Sequence, residues 1–203
     1  MAAPAFHCAA VTDRNAFLRM TLGVDDQGVE EVFEQLRQAP AETASEIFFK
    51  PFDTTQKAAF PQSRFSDGTW PVRYTACELN TAIREVQDGR LRKLRIHDVT
   101  NATLQLSYIE CDFSGSVKDL RPESEKWPFL TSDDGYYECN RIARVARSER
   151  LHGLLTPSAR LNGGTCLPIF RRDGASRPRI VGSGEYTYDA ARGQWREARG
   201  GRA

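Results

Sequence analysis

Four side chains in this chain have the types and the order of a possible active site. Arg64 precedes a short run of alternating residues that contains Tyr74, and Glu85 lies in the segment after that run. Ser158 follows a proline much later in the sequence. A guanidinium, a phenol, a carboxylate and a hydroxyl can together hold a phosphate, stack on a flat ring and stabilise a developing positive charge.

The stretch that contains the first three of these residues predicts one strand followed by one helix. Apolar and polar side chains alternate along residues 72–76, which is the pattern of a strand. Gly89 is expected to end the helix that follows. Glu85 would lie at about 110° from the centre of the helix's apolar stripe, where a carboxylate can face a cleft. The stripe consists of residues spaced along one helical face, namely Leu79, Ala82, Ile83 and Val86.

Each candidate also has an ordinary structural explanation when it is taken alone. Glu85 can be a solvated helix residue, Arg64 a loop cation and Tyr74 a half-buried strand aromatic. Ser158 can be a turn residue after Pro157. The four residues therefore favour a site only through their joint order and spacing.

That order and spacing resemble the RES domain, a family named for its Arg, Glu and Ser and found in bacterial toxins that consume NAD. Arg64 resembles the arginine of a Gly-Arg-Trp-like turn, Tyr74 the tyrosine of a Tyr-Thr-Ala-like strand, and Glu85 the glutamate closing the next helix. Residues 153–160, Gly-Leu-Leu-Thr-Pro-Ser-Ala-Arg, resemble the family's Gly-Leu-x-x-Pro-Ser-x-Arg segment and include Ser158. This octapeptide is the most specific signal.

The resemblance covers roughly residues 48–170 and includes two departures. Lys50 stands where the family has an early arginine, and the turn reads Ser63-Arg64-Phe65 where the family usually has glycine and tryptophan. These departures leave open a catalytically weak binding module as an alternative to an enzyme.

The resemblance implies an α+β fold, with one domain built on a split mixed sheet like that of ADP-ribosyltransferase toxins. Residues 1–45 would be an N-terminal helical extension, and residues 46–198 the NAD-binding catalytic domain. It also implies a toxin of a toxin–antitoxin system, paired with an antitoxin that can carry a helix-turn-helix domain.

For such an enzyme NAD is the substrate, and the nicotinamide–ribose bond is cleaved with water or phosphate as the acceptor. The alternative is a mono-ADP-ribosyltransferase, in which a protein side chain attacks. Glu85 would stabilise the oxocarbenium-like state, with Arg64 and Tyr74 completing the catalytic set. Lys50, Arg64, Tyr74 and Ser158 would bind the dinucleotide. Ser158 would be a hydrogen-bonding ligand and not a nucleophile, because no Gly-x-Ser-x-Gly elbow surrounds it.

Composition argues against several other classes of protein. Lys and Arg total 28 against 27 Asp and Glu, a net charge of +1, which does not suggest a nucleic-acid or membrane-surface binder. The five cysteines are odd in number, widely spaced and without a Cys-x-x-Cys pair, so neither disulfides nor a metal site are expected. Neither a signal peptide nor a membrane span is apparent, and a cytoplasmic protein is expected.

Further elements are predicted around this unit. We expect a helix over residues 29–38, a strand over residues 47–49 that delivers Lys50, and strands around residues 94–96 and 104–108. Residues 114–132 are expected to form a loop long enough to cover a site. Asp133 and Asp134 are expected to cap a helix over residues 136–149.

Overall fold

A mixed sheet of eight strands forms the centre of the fold. The computed structural model describes residues 2–11, 42–53, 59–96, 99–100 and 102–198. The strands lie in the order β4-β5-β6-β2-β1-β3-β7-β8, and only β4 and β5 are parallel among the described pairs. Their bounds are β1 Ala2–Val11, β2 Arg73–Ala76, β3 Thr103–Ser114, β4 Val117–Asp119, β5 Gly153–Pro157, β6 Thr165–Ile169, β7 Ala175–Asp189 and β8 Gln194–Glu197.

The sheet consists of two four-stranded halves that meet at one point. β1 pairs with β3 from Ala2 to Val11, but it pairs with β2 only where Phe6 lies opposite Ala76. The half β4-β5-β6-β2 is therefore joined to the half β1-β3-β7-β8 by a narrow seam. The predicted α+β class with a mixed sheet is confirmed.

The prediction of a helical extension outside the domain is wrong for residues 2–11, because these residues form the strand between β2 and β3. The alanine-rich segment contains only one of the β-branched residues typical of strands, Val11, and its partners in β3 are far away in the sequence. Long-range pairing therefore decides its conformation. The predicted helix over residues 29–38 lies outside the described residues.

Three helices pack on the sheet in the described part of the chain. They are α1 Ala44–Phe49, α2 Leu79–Ile96 and α3 Tyr136–Ser148. Short 3-10 helices occur at Lys50–Phe52, Arg121–Glu123, Pro128–Leu130 and Arg172–Gly174. The predictions of α3 and of a strand over residues 104–108 are confirmed. Residues 114–132, expected to be a loop, contain β4 and two of the 3-10 helices.

The predicted strand over residues 47–49 is instead part of α1. The helix begins with a capping box, in which the Thr43 side chain accepts from the Glu46 N–H at 3.2 Å and Glu46 Oε2 accepts from the Thr43 N–H at 2.7 Å. A short apolar run is compatible with either a strand or a helix, so the cap decides between them.

The helix α2 continues past Gly89 to Ile96, so the predicted end at Gly89 and the predicted strand over residues 94–96 are both wrong. A glycine inside a helix costs only about 1 kcal/mol relative to alanine. Packing on the sheet outweighs this cost, since Ala82 is buried and the indole N–H of Trp195 donates to the Gln87 carbonyl at 2.9 Å.

Arg73 joins α1 to both halves of the sheet. Its buried guanidinium donates to the carbonyls of Phe48 at 2.6 Å and Ile47 at 2.5 Å, both near the C-terminal end of α1. It also contacts His7 Nε2 at 2.9 Å, while His7 Nδ1 lies 3.0 Å from the Tyr74 carbonyl. Burial, reinforced by the charge of Arg73, lowers the pKa of His7 to about 3, so this histidine is neutral.

Within the described part of the chain, no helix is both long enough and apolar enough to cross a membrane.

Candidate active site

The structure places Ser158 directly against Glu85. Glu85 projects from α2, and Ser158 follows the end of β5. The Ser158 hydroxyl donates to Glu85 Oε1 at 2.6 Å, and Ser158 Oγ accepts from the backbone N–H groups of Arg160 at 3.1 Å and Leu161 at 3.0 Å. A serine hydroxyl offers one donor and two acceptor positions, so its hydrogen-bonding capacity is filled by the protein.

Cys166 is a further contact of Glu85 that sequence reasoning missed. Its thiol, on β6, lies 3.5 Å from Glu85 Oε1 and donates to it. Burial raises the pKa of the Cys166 thiol, and the negative charge of Glu85 raises it further, so the thiol keeps its proton. Within the described residues Glu85 Oε1 thus has two donors, while Oε2 has no partner there.

Tyr74 presents an open ring while its hydroxyl is enclosed. The residue is 38% exposed, yet its hydroxyl donates to Ser63 Oγ at 2.8 Å and accepts the Phe65 N–H at 2.9 Å. Burial raises the pKa of Tyr74 to about 12, so the phenol is protonated at neutral pH. The tyrosine hydroxyl therefore stabilises the turn that carries Arg64, because it binds the residues on either side of that arginine.

Arg64 connects that turn to the segment before α3. Its Nη1 donates to the carbonyls of Phe129 at 3.1 Å and Ser132 at 2.8 Å. The guanidinium carbon also lies 5.0 Å from the ring centre of Tyr136, which is a cation–π contact. The C-terminal end of the segment 114–132, which was expected to be a loop, is therefore bound to Arg64.

The register of β2 and β6 puts Tyr74 on the same face of the sheet as Glu85. Tyr74 lies opposite Pro168, and Ala76 lies opposite Cys166. Residues directly opposite each other, and residues two apart on a strand, point to the same face, so Tyr74 and Cys166 share a face about 7 Å apart along the strand. Because Cys166 contacts Glu85, the structure brings Tyr74, Glu85 and Ser158 to one side of the sheet.

Lys50 differs from the other candidates in its surroundings. The strand that was predicted to deliver it does not exist, and Lys50 begins a 3-10 helix after α1. Its side chain is 64% exposed, and its ammonium forms an ion pair with Glu42 at 2.9 Å.

Two arginines and two aspartates form a closed ring of ion pairs next to Glu85. Asp88 Oδ2 accepts from Nε of Arg92 at 3.1 Å and from Nε of Arg160 at 2.9 Å. Asp133 Oδ1 accepts from Nη2 of Arg92 at 2.7 Å and from Nη2 of Arg160 at 2.8 Å. Of the four residues in this ring, the family motif in the sequence included only Arg160, the last residue of the octapeptide.

The prediction that Asp133 and Asp134 cap α3 is wrong. The N-cap residue is Gly135, and no side chain caps the helix. A capping side chain must place its oxygen next to the first N–H groups of the helix, whereas the Asp133 carboxylate forms ion pairs with the two arginines of the ring.

An apolar groove of about 660 Å³ is lined by α3, β4 and β5 and by the segment between β4 and α3, and it contains none of the predicted site residues. Its walls include Leu120, Trp127, Ile142 and Leu154. Among the residues that the structure describes, no cluster of three or more His, Cys, Asp or Glu side chains could hold a metal ion.

Comparison with known proteins assigns the family. The family model of the RES domain matches residues 36–189. The fold is similar to a chain in the crystal structure of the M. tuberculosis MbcT–MbcA toxin–antitoxin complex, with 14% sequence identity, a TM-score of 0.49, and coverage of 95% of this chain and 87% of that chain. No curated protein sequence matches the chain. Since the match to the family model spans most of its length, the chain belongs to the RES domain family.

Proposed function

We propose that this protein is an enzyme that degrades NAD by cleaving the bond between nicotinamide and ribose. The observation that carries the proposal is the 2.6 Å contact between Ser158 and Glu85, which joins two residues of the family motif that are 73 positions apart in sequence. Membership of the RES domain family supports NAD as the substrate.

The arrangement around Glu85 suits an oxocarbenium-like transition state. As the bond from the anomeric carbon to nicotinamide breaks, its electron pair passes to the nicotinamide nitrogen and positive charge develops on the ribose. Glu85 Oε1 is held by Ser158 and Cys166, so Oε2 can accept a hydrogen bond from a ribose hydroxyl. That bond strengthens as the charge develops and lowers the barrier.

The other predicted residues supply binding in this proposal. The exposed ring of Tyr74 offers a flat face to nicotinamide or ribose. Arg64, across the turn from Tyr74, offers a planar fork to phosphate. Lys50 binds the dinucleotide only if it leaves its exposed ion pair with Glu42. In this geometry Ser158 is a positioning residue that acts through Glu85.

The attacking group completes the reaction. Water or inorganic phosphate forms the new bond to the anomeric carbon and gives up a proton to solvent, leaving ADP-ribose or its 1-phosphate and neutral nicotinamide. Attack by a protein side chain at the same carbon gives mono-ADP-ribosylation instead. Our proposal commits to water or phosphate.

The test is incubation of the purified protein with NAD, with and without phosphate, following nicotinamide release and transfer of labelled ADP-ribose to protein. We expect NAD loss without labelled protein, and strong loss of activity in Glu85→Gln but not in Glu138→Gln, an exposed glutamate on α3. Labelled protein would favour the transferase. The absence of NAD loss under every condition would overturn the proposal.

We also propose that the protein is a toxin with an antitoxin partner that blocks the cleft and can carry a helix-turn-helix domain. This proposal rests on family membership. Expression of the wild type should arrest growth, Glu85→Gln should not, and co-expression of the neighbouring gene should restore growth and yield a stable complex. Equal toxicity of the wild type and Glu85→Gln would contradict it.

A further inference from the structure

The ring of ion pairs next to Glu85 contains an anion-binding arrangement. Nη2 of Arg92 and Nη2 of Arg160 converge on a single oxygen of Asp133, at 2.7 and 2.8 Å. The N–H donors that guanidinium groups offer to a carboxylate also suit the oxygens of a phosphate. We propose that Arg92 and Arg160 bind the pyrophosphate of the dinucleotide alongside Arg64, and that the Asp133 carboxylate occupies this subsite when the dinucleotide is absent. The identity of the ligand rests on the proposed function.

The two aspartates of the ring differ in exposure, and this difference indicates that Asp88 is a fixed partner of the arginines and Asp133 an exchangeable one. Asp88 lies one turn before Arg92 on α2, and its side chain is 33% exposed. Asp133 lies in the segment before α3, and its side chain is 63% exposed. Exposed ion pairs contribute little free energy, so a pyrophosphate with more than one negative charge can displace Asp133. Asp88 remains and orients both guanidinium groups through their Nε atoms.

The position of the ring fits a phosphate of the same nucleotide whose ribose Glu85 contacts in the proposed reaction. Asp88 follows Glu85 by three residues on α2, which is a rise of about 4.5 Å along the helix. The backbone N–H of Arg160 donates to the Ser158 hydroxyl, which in turn donates to Glu85 Oε1. In NAD the phosphate is attached to the 5′ carbon of the ribose whose anomeric carbon bonds to nicotinamide, so the carboxylate and the phosphate site must be neighbours.

Displacement of Asp133 also affects the segment before α3. The Ser132 carbonyl accepts from Arg64, and the next residue, Asp133, binds Arg92 and Arg160. The segment is thus bound by Arg64 through Ser132 and by the two arginines of the ring through Asp133. A bound pyrophosphate removes one of these ties, so the contact of Asp133 acts as an autoinhibitory closure.

The first test is the binding of ADP-ribose, which carries the pyrophosphate but lacks the bond that is cleaved. Calorimetry in phosphate-free buffer should show about threefold to tenfold tighter binding to Asp133→Asn than to the wild type, because the competing carboxylate is gone. Adenosine, which lacks phosphate, should bind both proteins equally. The matched control Asp134→Asn changes a neighbouring exposed carboxylate and should leave the affinity for ADP-ribose unchanged.

The second test asks whether the gain depends on the arginines. Arg160→Gln should weaken ADP-ribose binding about tenfold, and the gain from Asp133→Asn should vanish in the double variant. Arg92→Gln provides the same test should Arg160→Gln lower the melting temperature. Arg141→Gln, on the exposed face of α3, is the matched control.

These outcomes separate the subsite from the catalytic proposal, because binding is measured without turnover. The subsite is overturned by unchanged or weaker ADP-ribose binding in a folded Asp133→Asn protein, by a gain that persists without Arg160, or by the absence of ADP-ribose binding in every variant. The predicted binding pattern without NAD consumption would support the subsite and overturn the catalytic proposal alone.

Discussion

Replacing Ser158 distinguishes a residue that positions Glu85 from one that binds the substrate. Ser158→Ala removes the 2.6 Å donor of Glu85 Oε1 and leaves the N–H groups of Arg160 and Leu161 without their acceptor. A hydrogen bond to a charged group contributes about 1.5–3 kcal/mol. If this is lost in the transition state, kcat for NAD consumption falls about 10- to 100-fold, since each 1.36 kcal/mol is about a factor of ten in rate.

The informative result is whether Ser158→Ala changes kcat or KM. A hydroxyl whose donor and acceptor positions are all used within the protein makes no direct contact with NAD, so KM should change less than kcat. Ser158→Thr retains the hydroxyl and should recover most of the activity lost in Ser158→Ala. The control is Ser148, an exposed residue whose hydroxyl donates to the Val145 carbonyl at the end of α3, and Ser148→Ala should leave both parameters unchanged.

A raised KM with an unchanged kcat would refute this reasoning. That result would mean that the Ser158 hydroxyl turns from Glu85 to the substrate, which is the ligand role expected from the sequence. Full activity of Ser158→Ala would exclude both roles.

Three further predictions concern stability. Arg73→Met should lower the free energy of unfolding by about 3 kcal/mol in denaturant titrations, because two carbonyls of α1 lose a buried charged donor, whereas Arg141→Met should change it by less than about 0.5 kcal/mol. The pKa of His7 is about 3 when folded against 6.5 when unfolded, so the unfolded state binds more protons between these values. Stability should therefore fall by up to about 1.4 kcal/mol for each pH unit as the pH drops through this window, and a flat profile in the wild type, or an equally steep one in His7→Gln, would contradict this. Thr43→Ala should lower the free energy of unfolding by about 1 kcal/mol through loss of the capping box, while Ser45→Ala, one position inside α1, should have a smaller effect; equal effects would exclude the cap.

The part of the fold that the sequence predicted well consists of locally encoded elements. The strand that carries Tyr74 and the helix that carries Glu85 follow from short repeats of apolar residues, and so does α3. The prediction failed where two local signals compete, as in the short apolar run around Phe48, where the capping box decides for a helix. It failed again at Gly89, because packing on the sheet exceeds the small cost of glycine in a helix.

For the candidate site, too, the sequence predicted some features and not others. Residue types and motif spacing selected Arg64, Tyr74, Glu85 and Ser158, but they contained no information on which atoms meet. The contact of Cys166 with Glu85 Oε1 depends on the pairing of β2 with β6 and on the packing of α2. No local pattern could have predicted it.

By itself the sequence determined the family, the chemical groups available and the local elements that carry them, because residue order and local periodicity can be read without knowing how the chain packs. The tertiary structure alone decided that residues 2–11 form a central strand, that Ser158 is committed to Glu85, and that Asp133 reaches Arg92 and Arg160. Each of these contacts joins segments far apart in the chain. Their geometry follows from how the strands and helices pack together, which no stretch of sequence specifies on its own.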